Sequence, residues 1–143
     1  MPLRAVVDTN TLISGLFGIA SPPAQLLDTL LDKRFTLVVS PYLAAELLHV
    51  LTYPRIVRRL PISVEEATTV VTALLQQAEL VAGELRLPGV TRDAKDDAIV
   101  ACAVEGAVDY LVSGDRDLLV LQHVEGIPIL TPKAFSALLD EKG

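Results

Sequence analysis

Short apolar runs alternate along this chain with stretches of helical periodicity. Strands that are apolar throughout need cover on both faces, so the alternation predicts a βαβ-type fold with a mostly parallel sheet between helices. Leu3–Val7 reads as a buried strand ending at Asp8, and Thr36–Ser40 as a second. Asp109–Ser113 and Ile127–Leu130 read as two more, and Glu79–Val81 fits a short fifth. Between them, Ser21 with Pro22 and Pro23 starts a helix through Lys33, and Ser40-Pro41 opens one carrying Leu43, Leu47, Leu48 and Leu51. Ser63 and Glu66 form a capping box for a helix to about Gln77. Gly83–Asp93 reads as a loop, Asp96–Glu105 as a helix and Arg116–Leu121 as a short helix or turn. Thr131-Pro132 caps a terminal helix through Leu139. The expected architecture is a three-layer α/β/α sandwich with four or five strands, residues 1–143 forming a single domain.

Composition narrows the function classes. No apolar run approaches the roughly 18 residues of a membrane span. The start of the chain has too short an apolar stretch and too early a charge for a signal peptide, so cytoplasmic residence is expected. One cysteine, Cys102, excludes an internal disulfide framework and a cysteine-rich zinc site. The formal net charge of −6 opposes binding to phosphate. Two divalent cations held by clustered acids would add +4 and leave −2, so the acidic balance still allows a nucleic-acid partner.

The acids fall in a telling place. Ligands of open parallel sheets bind outside the carboxyl ends of the strands. Asp8 directly follows the first strand, and Asp115 lies two residues beyond Ser113. Glu46 sits in the helix leaving the second strand, from where it can lean over the same edge. Asp96 opens a helix whose apolar stripe continues through Ile99, Val100 and Ala103, which favours Asp96 inward and Asp97 outward. Converging carboxylates repel unless a cation compensates, and oxygen ligands without His or Cys select Mg²⁺ or Mn²⁺ over zinc. One or two such ions make a hydrolytic phosphodiester site without a protein nucleophile. Each acid also has a plain reading as a helix cap, a dipole partner or a solvated face; their shared edge is what favours a site.

Four segments together resemble the PIN-domain family. They are Val6-Val7-Asp8-Thr9-Asn10, Ser40-Pro41 with Glu46, Asp96-Asp97-Ala98-Ile99-Val100-Ala101-Cys102-Ala103, and Tyr110 through Leu119 with its Ser113-Gly114-Asp115 core. The resemblance runs from Asp8 to the Ile127–Leu130 strand and is strongest to bacterial VapC-type toxin components of toxin–antitoxin systems. It implies a metal-dependent endoribonuclease selective for single strands. The family's metal-binding acids fall on Asp8, Glu46, Asp96 and Asp115, with Asp117 as a fifth position and Asp97 as the alternative to Asp96. Asn10 and Ser113 match its supporting polar positions, Ser113 standing where many relatives have threonine. An antitoxin partner and a homodimer are further implications.

Arg116 and Lys95 flank proposed ligands and are the preferred phosphate contacts; Arg55 leads the densest basic cluster, with Arg58 and Arg59. Lys33, Arg34 and Arg92 are further basic candidates. The few aromatics offer no interleaved stacking platform, so substrate preference is unreadable. His49 and His123 read as packing or surface residues, and Cys102 as a small core hydrophobe. Three rivals compete. A haloacid-dehalogenase-like phosphatase needs a general acid where Asn10 stands and a second late acid where Leu119 stands. A receiver domain needs a carboxylate pair after strand one and an aspartate after strand three. A PIN-like module that only binds RNA or protein would not need the intact acid set.

Overall fold

The computed structural model describes residues 2–87 and 94–142, with side chains for all of these except residues 94, 95 and 142. Six strands form the sheet: β1 (Arg4–Val7), β2 (Thr36–Val39), β3 (Glu79–Leu80), β4 (Tyr110–Val112), β5 (His123–Val124) and β6 (Ile127–Leu130). Their order is β3-β2-β1-β4-β6-β5, and among the described residues only the β5–β6 pair is antiparallel. Among the described residues eight helices accompany them: α1 (Thr9–Ser14), α2 (Pro22–Leu31), α3 (Pro41–Val50), α4 (Pro54–Val57), α5 (Val64–Gln77), α6 (Ala94–Glu105), α7 (Arg116–Leu119) and α8 (Pro132–Lys142).

Successive strand residues face opposite layers. Ala5, Val7, Leu37, Val39 and Val112 pack under α1, α2, α3, α5 and α8. Val6, Val38 and Leu111 pack under α6 and α7, with Leu43 completing that side. Phe135 of α8 is fully buried and meets Phe35 and Tyr110 edge-on, at ring separations of 5.0 and 5.8 Å. These two cores make the three expected layers.

The five anticipated strands are present, and the correction is a sixth, β5. It arises because Glu125 and Gly126 both take positive φ, 48° and 78°, as a two-residue hairpin turn of the I′ kind requires. Glutamate in the first turn position gives a weak signal, since Asn or Asp is the usual choice there. The short helix α4 was likewise unanticipated; it buries Ile56 in the first core. The Ser63 capping box forms as expected, with both reciprocal hydrogen bonds. The loop reading for Gly83–Asp93 holds through residue 87, and its remainder lies outside the described residues.

The register of the central strands sets up the site. Asp8 N donates to Val112 O at 3.0 Å, and Ser113 N donates to Leu130 O at 2.9 Å. Ser40, Asp8, Ser113 and Thr131 therefore form a row across β2, β1, β4 and β6, each one residue past its strand's last residue. Asp8 caps α1, Ser40 caps α3 and Thr131 accepts from Ala134 N in α8. Helix N-termini and oxygen-bearing side chains are thereby gathered along one sheet edge.

Candidate active site

Asp8 is the centre of this edge. It is only 5 % exposed, so its carboxylate must be satisfied within the protein. Oδ1 accepts from Thr11 N at 2.7 Å, which also places the negative charge at the N-terminus of α1. Oδ2 accepts from the hydroxyl of Ser113. Ser113 is fully buried, and its Oγ accepts in turn from Asp115 N at 2.9 Å. Asp115 then caps α7, its Oδ1 accepting from Asp117 N at 2.9 Å. A continuous hydrogen-bonded chain thus runs from Asp8 through Ser113 to Asp115 and Asp117.

Asp8 and Asp115 face a common cleft of about 520 Å³, together with Asn10, Ser14, Gly114 and Lys133. A Cβ built on Gly114 would meet nothing within 4 Å, so the space beside it is open. Asn10 and Asp115 are exposed to this space. Lys133, in the first turn of α8, was missed in the sequence. The signal was present: Thr131-Pro132 starts a helix directly after β6, which puts that helix's first turn on the carboxyl edge.

The other acids are not part of the described lining of this cleft. Asp96, in the first turn of α6, is 9 % exposed, and Ile99, Val100 and Ala103 below it are buried. Because α6 carries the chain between parallel strands, that first turn lies toward the carboxyl edge. Asp97 is half-buried and faces a different cavity. Glu46 of α3 is half-buried, with Oε2 sealed from solvent. Asp117 is exposed on α7. Among the described residues, no three or more His, Cys, Asp or Glu side chains draw together as a metal-binding group. The cleft's donor chemistry suits a hard cation, being all oxygen apart from an amide and an ammonium.

Arg116 is exposed beside Asp115, and Arg55 is exposed on α4, away from the cleft lining. Arg58 is exposed too, and the guanidinium of Arg59 stacks 4.2 Å above the Phe17 ring. The Lys95 side chain, Arg92 and Asp93 lie outside the described residues. His49 and His123 are at the surface, His49 meeting Tyr53 edge-on. Cys102 is 2 % exposed, and burial pushes its thiol up to about 12. Among the described residues, no helix is long and apolar enough to cross a membrane.

The family model described as PIN domain matches residues 4–117. Among solved structures, the chain is similar to PAE2754 from Pyrobaculum aerophilum. The TM-score is 0.62 at 16% sequence identity, covering 97% of this chain and 90% of that one. This likeness bears on the fold. No curated protein matches the chain in sequence.

Proposed function

This chain belongs to the PIN-domain family, and from that premise we propose that it is a metal-dependent endoribonuclease that cuts single-stranded RNA. PIN domains are generally nucleases and typically use divalent metal ions. The observation that carries the reading is the joining of Asp8 to Asp115 through the buried Ser113 hydroxyl, above an open cleft. Two carboxylates held in fixed relation at a parallel-sheet edge suit a hard cation better than a stability role.

Asp8 and Asp115 would hold Mg²⁺ or Mn²⁺, with Glu46, Asp96 and Asp117 completing the set and Asp97 as the alternative to Asp96. The ion, when bound, supplies Lewis acidity toward a phosphoryl oxygen and lowers the pKa of water. The protein's own groups do the positioning. Ser113 fixes the Asp8 carboxylate, and Lys133 offers a positive charge to a phosphate entering the cleft. Arg116, Lys95 and Arg55 extend the contact to neighbouring phosphates, and Asn10 supports the site. The resemblance of the motif set to VapC-type toxins supports reading the protein as the cytoplasmic toxin of a toxin–antitoxin pair, with an antitoxin and a second copy of the chain as the proposed partners.

Labelled single-stranded RNA incubated with the protein, with Mn²⁺ or with chelator, tests this reading. Internal cleavage that needs the metal and disappears in Asp8→Asn is expected. RNA bound but left intact under every metal condition would favour a non-catalytic PIN-like module instead. That second reading draws on the lack of a three-acid group among the described residues. Hydrolysis of p-nitrophenyl phosphate without RNA cleavage would point to a phosphatase.

A further inference from the structure

A second cavity, of about 610 Å³, includes Ser40 of the sheet's carboxyl edge in its lining and runs along α6 from Asp97 to Glu105, and its chemistry differs from that of the acidic cleft. Tyr42, in the first turn of α3 and 54% exposed, is part of its lining. Leu85 and Leu87 form an apolar wall, and Arg86 stands beside them. This wall is built rather than loose. The Glu105 carboxylate accepts from the N–H groups of Gly83, Glu84 and Leu85 at 3.0, 3.3 and 3.2 Å. The Arg86 guanidinium donates back to Gly83 O at 2.7 Å and Leu85 O at 3.2 Å.

The linings of the two cavities each include the end of one of two neighbouring strands. Ala5 pairs with Leu37, so three residues on Asp8 stands opposite Ser40, at the spacing of neighbouring strands, about 4.8 Å. Asp8 lines the first cavity and Ser40 the second. A polymer with its phosphate over Asp8 and Asp115 can therefore extend an adjacent unit past Ser40 toward the second cavity.

We propose that this second cavity is a base subsite, receiving an unpaired nucleobase of the strand whose phosphate occupies the acidic cleft. The proposal rests on the nuclease reading above and deepens it. An uncharged flat heterocycle fits a cavity lined by an exposed tyrosine and two leucines, and stacking of this kind tolerates any base. Asp97 and Glu105 also line the cavity, so a phosphate is disfavoured there while a base is not. Arg86 is placed to contact the backbone beside that base or to stack on its face.

The test is fluorescence anisotropy with a fluorescein-labelled single-stranded RNA of about ten nucleotides, with Ca²⁺ in place of Mn²⁺ so that the acids carry a hard cation, and with the RNA shown to be intact on a gel afterwards. Tyr42→Ala and Tyr42→Leu should each weaken binding between about fivefold and about a hundredfold, while Tyr42→Phe binds like the parent. Unchanged thermal unfolding of the variants shows that the ring, not the fold, was removed. If Tyr42→Ala and Tyr42→Leu bind within twofold of the parent while Lys133→Gln weakens binding, the base subsite is wrong and the nuclease reading stands. An apolar peptide would then be the better occupant. If the parent itself binds no single-stranded RNA, both readings fall together.

Discussion

The hydroxyl of Ser113 donates to Oδ2 of Asp8 while accepting from the Asp115 amide, so one fully buried oxygen sets the position of both acids. Its removal has a stability cost and a functional one. Ser113→Ala leaves a buried carboxylate oxygen and an amide without their partner, which should cost about 1–3 kcal/mol. Thermal unfolding reads that cost, and a lower kcat/KM for RNA cleavage reads the loss of alignment. A variant cleaving at the parental rate would show that Ser113 supports the fold alone.

Asp8 has two separable roles, as helix cap and as proposed ligand. Asp8→Asn keeps an oxygen for Thr11 N, whereas Asp8→Ala removes the cap. We expect Asp8→Ala to be less stable than Asp8→Asn by about 1 kcal/mol, with both devoid of cleavage. Urea unfolding beside the RNA assay separates the two roles.

Lys133 supplies cationic charge within the cleft shared by Asp8 and Asp115. If it neutralises one phosphate, Lys133→Gln lowers the slope of log K against log salt by about 0.7, the value for one contact to a single strand. Lys133→Arg should keep the slope. Anisotropy titrations across a range of salt concentrations measure it.

Cys102 makes the alkaline limb of stability predictable. Its folded pKa is raised from 9.0 to about 12, chiefly by burial. A raised pKa means that the folded state holds the proton longer. Stability is therefore unaffected at neutral pH and declines between the two values, by at most about 1.4 kcal/mol per pH unit. Cys102→Ala should flatten this decline in urea melts above pH 9. An unchanged slope would mean that the thiol is not the group responsible.

Much of this was legible in the sequence because the strands are apolar on both faces and end abruptly. Val7-Asp8, Val39-Ser40, Val112-Ser113 and Leu130-Thr131 each switch from apolar to oxygen-bearing at the strand's end. Helical periodicity separated Asp96 from Asp97, and the structure buries Asp96 the more deeply. What periodicity cannot carry is side-chain meeting across strands. The Ser113 bridge depends on the β1–β4 register, and Lys133 enters the cleft from the last helix in the chain. The β5 strand escaped because its turn uses Glu125, and α4 because it is one turn long.

The most direct measurement is a crystal soaked in Mn²⁺ and read by anomalous scattering. A metal centre at this edge predicts a peak bounded by the carboxylates of Asp8 and Asp115, lost in Asp8→Asn. A saturating soak with no peak in that cleft, or one held by other residues alone, would contradict it.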